Sequence, residues 1–178
     1  YAQLDRRSNQ IAHLLRLSGV KRGDHIAMMM KNCVEFLQVA QAANRAGIIF
    51  TPISTHLKQD ETAYIITNCK AKLFIASASL AEVAVEAAAA SGGLKRCLSV
   101  GGDIAGFESL NEQLASLPES IGKLQALTKL DLDGNQLTSL PESIGRLQAL
   151  AELYLNRNQL LILPESLGGL DSLTKLGL

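Results

Sequence analysis

Leu117-Pro118-Glu119-Ser120-Ile121-Gly122 opens a pattern that organises the last third of this 178-residue chain. The same positions read Leu140-Pro141-Glu142-Ser143-Ile144-Gly145 and then Leu163-Pro164-Glu165-Ser166-Leu167-Gly168, with a period of 23 residues each time. A fixed period of roughly 20–50 residues indicates stacked structural units, because one unit of this size cannot bury its own apolar side chains.

Leucines and an asparagine follow each hexamer with the spacing L-x-x-L-x-L-x-x-N-x-L. The first copy has Leu127, Leu130, Leu132, Asn135 and Leu137, the second has Leu150, Leu153, Leu155, Asn158 and Leu160, and the third begins with Leu173, Leu176 and Leu178. This pattern resembles the leucine-rich repeat family. The resemblance implies a short solenoid with a parallel sheet over residues 117–178, made of two full repeats and a truncated third. It also implies that Asn135 and Asn158 turn inward to hydrogen-bond the backbone.

The expected strands present one polar column that alternates in charge. In register, Lys129, Glu152 and Lys175 lie side by side on neighbouring strands, about 4.8 Å apart. Solenoids bind partners on their concave face. Here that face would consist of Lys129, Asp131, Asp133, Glu152, Tyr154, Asn156, Lys175 and Gly177. Tyr154 is its only aromatic residue and the best anchor for an unknown protein partner. The alternative is a solvated sheet surface.

Residues 1–116 alternate between short apolar runs and segments of helical spacing. The runs at 26–30, 48–53, 73–76 and 97–100 suit strands of a parallel sheet that is buried on both faces. Helices are predicted over about 60–68 and 80–91, the second of them capped by Gly92 and Gly93. Phe36, Ala40, Ala43 and Gly47 mark one close-packing helical face. The alternation predicts an α/β layer architecture.

An ordered series of residues in this part carries a second resemblance. It consists of Tyr1–Asn9, Gly19–Ala27, Asn32, Glu35, Phe36, Ala46–Ile53, Glu61, Ala63, Tyr64 and Ala71–Leu73. In order and spacing the series resembles the amino-terminal subdomain of adenylate-forming enzymes, especially fatty-acyl-CoA synthetases. Lys31 stands where that family usually has Pro, and Ser54 where it often has Asn. Residues 1–116 are therefore expected to form an incomplete synthetase-like subdomain.

The resemblance implies a parent enzyme that uses ATP and Mg²⁺ to make an acyl-adenylate and then transfers the acyl group to CoA. Its phosphate loop, Thr-Glu pair, ribose-binding Asp and late catalytic Lys all lie beyond the segment matched here. No catalytic, cofactor-binding or metal-binding residue can therefore be assigned, and ATP, Mg²⁺ and CoA would belong to the complete parent enzyme.

Other candidate sites in the sequence are weak. Ser91–Lys95 is glycine-rich but follows a predicted helix and lacks the G-x-x-x-x-G-K-[ST] spacing of a phosphate loop. His13, His25 and His56 share no metal-ligand spacing with one another or with the cysteines. Cys33, Cys69 and Cys97 are odd in number and lack CxxC spacing, which favours reduced thiols in a cytoplasmic protein.

Composition narrows the class of partner. Lysine and arginine number 17, as do aspartate and glutamate, so no basic excess suggests nucleic acid. No apolar run reaches the ~20 residues that a membrane-spanning helix needs. We expect no signal peptide, since the first residues do not have the pattern of one.

Two functional hypotheses follow. In the first, the chain is a non-catalytic composite, in which a leucine-rich-repeat interaction module is fused to the front scaffold of an AMP-forming acyl-CoA ligase. The alternative is a fragment of an ATP-dependent fatty-acyl-CoA ligase whose catalytic part lies outside this chain. On either view, we expect this chain alone to lack enzymatic activity. We also expect self-association through the uncapped carboxyl-terminal edge, because an unpaired strand is a template for pairing.

Overall fold

The computed structural model describes residues 2–178, with side chains from residue 4 onward. Tyr1 and the side chains of Ala2 and Gln3, which open the synthetase-like series, lie outside the described residues. The chain forms two compact units, residues 1–113 and 114–178.

The first unit is the predicted α/β structure with a parallel sheet. Its strands are β1 (His25–Met29), β2 (Ile49–Pro52), β3 (Ala71–Ser77), β4 (Arg96–Val100) and β5 (Glu108–Ser109). The helices that alternate with them are α1 (Ala2–Leu17), α2 (Val34–Ala46), α3 (Gln59–Asn68) and α4 (Ala81–Ala90). A short helix, α5 (Leu110–Ala115), follows β5 and spans the boundary between the units.

The five strands lie in the order β2-β1-β3-β4-β5, and all neighbours are parallel. Ile26 and Met28 face one side of the sheet while Ala27 and Met29 face the other, and all four are fully buried. A strand covered on both faces has no polar side, which explains the continuous apolar runs in the sequence. The face that carries Ala27, Met29 and Phe74 packs against α3 and α4, and α1 packs against α2.

Gly47 ends α2 in the left-handed conformation, with φ of 67°. A Cβ at this position would lie 2.8 Å from Cγ of Arg22, so both the conformation and the space favour glycine. Ala43, which shares the predicted close-packing face, is fully buried.

The predicted glycine cap of α4 is wrong. The helix ends at Ala90, and its capping residue is Ser91 in an extended conformation. The Ser91 hydroxyl donates to the carbonyl of Ala87 at 2.6 Å and so satisfies one of the terminal helical carbonyls. The two glycines form the following bend.

The second unit contains the strands β6 (Lys129–Asp131), β7 (Glu152–Tyr154) and β8 (Lys175–Gly177), which pair in that order as a parallel sheet. Lys129 pairs with Glu152, and Glu152 with Lys175, as the 23-residue period predicts. A short 3₁₀ helix begins at the third residue of each hexamer, at Glu119–Lys123, Glu142–Arg146 and Glu165–Gly169.

The four-residue spacing from Glu142 to Arg146 predicts an ion pair across one α-helical turn, and the 3₁₀ geometry of the segment makes this prediction wrong. With three residues per turn, residues four apart do not share a face. The Glu142 carboxylate instead accepts from the backbone N–H of Ser166, at 3.2 Å, in the next copy.

The core of the second unit consists mainly of the conserved leucines of successive repeats, which pack against one another. Leu147, Leu150 and Leu153 are fully buried. Asn158 turns inward as predicted: its Oδ1 accepts from the backbone N–H of Asn135 at 3.1 Å and of Leu137 at 3.0 Å. Its Nδ2 donates to backbone carbonyls, among them that of Leu155 at 2.7 Å.

Candidate functional site

The exposed row across β6, β7 and β8 is an ion-pair chain centred on Glu152. Oε1 of Glu152 lies 2.7 Å from Nζ of Lys175, and Oε2 lies 3.5 Å from Nζ of Lys129. Both lysine side chains are largely exposed, whereas Glu152 is about three-quarters covered. The row therefore presents two ammonium groups to solvent with one carboxylate between them.

The hydrogen bond from Lys175, followed by one from the Tyr154 hydroxyl, lowers the pKa of Glu152 below its usual range. Reciprocally, the hydrogen bond to Glu152 raises the pKa of Lys175. The row keeps both signs of charge over the whole neutral range.

Tyr154 occupies the centre of the next row. Its hydroxyl donates to Oε2 of Glu152 at 3.1 Å, and Nζ of Lys129 lies 5.1 Å from the centroid of its ring. A Cβ at Gly177 would come within 3.2 Å of the ring, so the small residue on β8 leaves room for Tyr154. The predicted anchor is thus held in place by its neighbours rather than free to turn.

Asp133 and Asn156 lie farther along the same face and bind each other. Oδ1 of Asp133 accepts from the backbone N–H of Asn156 at 2.7 Å and from its Nδ2 at 3.0 Å. These two predicted face residues therefore also tie successive repeats together. Asp131 is exposed, and its Oδ1 accepts from the backbone N–H of Asp133 at 3.1 Å.

In the first unit, the strand order reverses between β1 and β3. Ligands of open α/β sheets bind outside the carboxyl ends of the strands at such a point. Here a hydrogen bond joins the loop that follows β1 to the last residue of β3, in which the Lys31 backbone N–H donates to Oγ of Ser77 at 3.1 Å. Sequence reasoning missed Ser77, because a serine at the end of an apolar run carries no distinctive signal.

Ser91–Lys95 connects the end of α4 to the start of β4. The segment therefore lies at the amino ends of the parallel strands, away from the edge at which such sheets bind ligands. This position supports the interpretation of the glycines as a structural bend.

Among residues 2–178, no group of three His, Cys, Asp or Glu side chains is arranged to hold a metal ion. His13 and His56 are exposed, whereas His25 is half-buried at the start of β1. The cysteines are free and half-buried, and burial raises the pKa of the Cys33 and Cys97 thiols. In the described part of the chain, no helix is both long enough and apolar enough to cross a bilayer.

Comparisons with known proteins agree with the fold of the first unit. The family described as AMP-binding enzyme matches residues 1–138, and the chain belongs to this family. A second family, described as leucine-rich repeat region, matches residues 108–178.

The relatives of the first unit are CoA ligases. The chain is 36% identical over 78 residues to crotonobetaine/carnitine–CoA ligase of Citrobacter koseri. The matched segment covers 44% of this chain and 15% of that protein. It is 34% identical over 83 residues to long-chain-fatty-acid–CoA ligase FadD13 of Mycobacterium tuberculosis, covering 47% and 16%. The chain thus spans about 15% of the length of the curated relatives that it matches.

Solved structures give the same result. The Mycobacterium tuberculosis fatty acyl CoA synthetase aligns with a TM-score of 0.56 and 29% identity, over 64% of this chain and 22% of that one. A benzoate CoA ligase from Burkholderia xenovorans LB400 aligns with a TM-score of 0.58 over 64% of this chain and 22% of its own. At 24% sequence identity, the likeness to this benzoate CoA ligase establishes a shared fold and nothing further. The predicted resemblance to the amino-terminal part of an adenylate-forming CoA ligase is therefore confirmed.

Proposed function

We propose that the first unit is the front scaffold of an ATP-dependent, AMP-forming acyl-CoA ligase whose catalytic part lies outside these 178 residues. The observation that carries this proposal is the match of the AMP-binding family to residues 1–138, supported by the parallel sheet that the family members share. The resemblance to fatty-acyl-CoA synthetases favours a carboxylic acid with an acyl chain as the substrate class.

The first unit contributes to such an enzyme by position rather than by chemistry. Strands β1 and β3 are buried on both faces and fix the loops at their carboxyl ends, and the Lys31–Ser77 hydrogen bond joins the loop after β1 to the end of β3. The residues that the family uses for phosphate, metal and ribose binding follow this segment in the relatives. A scaffold of this kind should therefore restore activity only when it is joined to them.

A chimera tests this proposal. Residues 1–113 would replace the matching segment of the Mycobacterium tuberculosis long-chain ligase, and formation of acyl-CoA from a fatty acid, ATP and CoA would be measured. We expect activity within about tenfold of the parent, because the sheet that carries the loops is preserved. A folded chimera without activity would contradict the proposal.

Two variants of the chimera separate scaffold failure from other causes. Met29→Asp places a charge on a fully buried strand position and should abolish activity together with folding. Thr67→Asp makes the same charge change on the exposed face of α3 and should leave activity unchanged.

We further propose that the second unit is a leucine-rich-repeat solenoid that binds a protein on the face around Tyr154. The 23-residue register and the match of the leucine-rich family to residues 108–178 support the repeat assignment. The ring of Tyr154, held beside two exposed ammonium groups, suits a peptide that presents an acidic side chain next to an apolar one.

Peptide display on the full chain tests this second function. Peptides selected on the wild type should bind Tyr154→Ala and Lys175→Glu at least tenfold more weakly. Arg146→Glu makes the same charge reversal on an exposed 3₁₀ turn and should not change their affinity. Selection of no peptide, or of peptides indifferent to all three variants, would rule the face out as a binding site.

We also propose a cytoplasmic location, because half-buried cysteines that form no disulfide suit a reducing compartment.

A further inference from the structure

We propose that one edge of the first unit docks on an anionic membrane surface, through a group of cations that surround two exposed apolar side chains. The edge is the one at which the parallel strands begin, opposite to the edge at which such sheets bind their ligands. The proposal depends on neither of the two proposed functions, since no residue of this edge belongs to the loops after β1 and β3 or to the face around Tyr154.

Positive charge is concentrated where β1, β3 and β4 begin. The segments 21–24, 70–72 and 95–96 contain six cations and one carboxylate, that of Asp24. The segments that follow the same strands, at 30–35, 78–82 and 101–103, contain one cation and three carboxylates. The equal totals of the two signs in the whole chain therefore hide a polarity of the sheet. The six cations, called here the amino-edge patch, are Lys21, Arg22, Lys70, Lys72, Lys95 and Arg96.

Hydrogen bonds and close contacts bring these segments together. The Lys95 N–H donates to the backbone carbonyl of Lys72 at 2.7 Å. A Cβ placed on Gly19 would lie 3.5 Å from Nζ of Lys95, so the loop before β1 lies against the start of β4. In the same loop, the Arg22 side chain crosses Gly47, where an added Cβ would come within 2.8 Å of its Cγ. The cations of the three segments therefore share one surface.

Only part of this positive charge is neutralised within the fold. Nζ of Lys72 lies 2.7 Å from Oδ1 of Asp24, and the Arg96 guanidinium pairs with Glu108. The other four side chains of the patch are exposed, and among the described residues they have no carboxylate within ion-pair distance. They are Lys21, Arg22, Lys70 and Lys95. Four such cations on one edge attract a negatively charged partner.

Two large apolar side chains are exposed among these cations. Leu17 is 58% exposed, and the hydroxyl of its neighbour Ser18 accepts a hydrogen bond from Nη1 of Arg96 at 2.9 Å. Ile49 is 49% exposed, and its N–H donates to the backbone carbonyl of Asp24 at 2.9 Å. Both apolar side chains therefore border the amino-edge patch.

This combination fits a membrane that contains anionic lipids. Negatively charged headgroups attract the cations, and apolar side chains beside them enter the boundary between headgroups and acyl chains. A surface for single-stranded nucleic acid would instead carry aromatic side chains on which bases stack. The segments 16–24, 70–72 and 95–96 contain no Phe, Tyr or Trp. Docking in this orientation directs the loops after β1 and β3 away from the membrane.

Flotation of the full chain with lipid vesicles tests the proposal. We expect binding to vesicles of phosphatidylcholine mixed with phosphatidylserine, none to phosphatidylcholine alone, and release at about 0.5 M salt, which screens the charges. The double variant Lys21→Glu/Lys95→Glu should bind the mixed vesicles at least about tenfold more weakly. Lys31→Glu/Lys58→Glu makes the same change in net charge at exposed positions of the opposite edge and should bind like the wild type.

Leu17→Ser tests the apolar part of the surface. It should weaken binding to the mixed vesicles about threefold or more, and it should not change the binding of polyuridylate, a single-stranded RNA. Leu37→Ser is the matched control, since Leu37 is also 58% exposed but lies near the start of α2, at the opposite edge. Circular dichroism of each variant checks that it folds.

Three results would overturn the proposal. One is a wild type that does not bind the mixed vesicles or binds them without dependence on phosphatidylserine, which decides the matter even if a variant fails to fold. Another is undiminished binding by folded Lys21→Glu/Lys95→Glu. The third is a Leu17→Ser variant that binds vesicles like the wild type, which would indicate a surface for soluble polyanions instead of a membrane.

Discussion

Nζ of Lys72 lies 2.7 Å from Oδ1 of Asp24, which joins the start of β3 to the turn before β1. The Asp24 carboxylate also accepts from the backbone N–H of Lys21 at 2.7 Å. The Lys72 hydrogen bond, and then that from Lys21, hold the pKa of Asp24 below its usual range. Since β3 is the central strand of the sheet and pairs with β1, this contact links local electrostatics to the stability of the first unit.

The direction of that shift predicts a pH dependence. A carboxylate with a lowered pKa in the folded state stabilises the fold above its ordinary pKa of about 3.9, and the contribution disappears as pH falls further. We expect Asp24→Asn to lower the thermal midpoint at pH 7 and to flatten its fall below about pH 4. Asp103→Asn, at an exposed position after β4, is the control. Parallel pH profiles for wild type and Asp24→Asn would contradict this assignment.

The buried ring of Phe74 gives a prediction about the free energy of unfolding of the first unit. Its ring is fully buried and meets Phe107 edge-on, with centroids 5.8 Å apart. Phe74→Ala should destabilise the first unit by about 3–5 kcal/mol in urea unfolding followed by circular dichroism. Tyr64→Ala removes an aromatic ring that is mostly exposed and should change stability by less than about 0.5 kcal/mol. Equal losses in the two variants would show that the core is wrongly placed.

Much of this fold could be predicted, because periodicity survives in the sequence. Ile26–Met30 reads as a buried strand, and the structure has β1 at His25–Met29. The 23-residue period predicted the pairing of Lys129, Glu152 and Lys175. Elements too short to show a period were missed, namely β5 and α5.

Contacts distant in sequence explain the other omissions. Ser77 and Lys31 are 46 residues apart, and only the parallel pairing of β1 with β3 brings them together. The close approach of Ser143 to Gly122 and of Ser166 to Gly145 was equally hidden, since a hexamer motif does not show what lies against its glycine. The assignment of no catalytic residue remains a prediction.

That assignment predicts a specific biochemical result. The chain alone should release no pyrophosphate above the buffer control when it is incubated with ATP, Mg²⁺ and a panel of fatty acids. The physical reason is that the phosphate-, metal- and ribose-binding motifs of the family have no counterpart in residues 1–178. The Mycobacterium tuberculosis ligase serves as the positive control. Release that depends on the fatty acid would show that a catalytic site had been overlooked.

The repeat glycines give a prediction about the stability of the second unit. Gly145→Ala forces a Cβ to within 2.5 Å of the Ser166 carbonyl oxygen and 2.6 Å of its Cβ, so the third repeat must shift. Overpacking of this kind should cost about 1–3 kcal/mol. Gly168→Ala makes the same substitution where nothing lies within 4 Å, and should change stability by less than about 0.5 kcal/mol. Hydrogen exchange measured on both variants should show faster exchange in β8 for Gly145→Ala only. Equal exchange in the two variants would mean that successive repeats do not approach each other through these glycines.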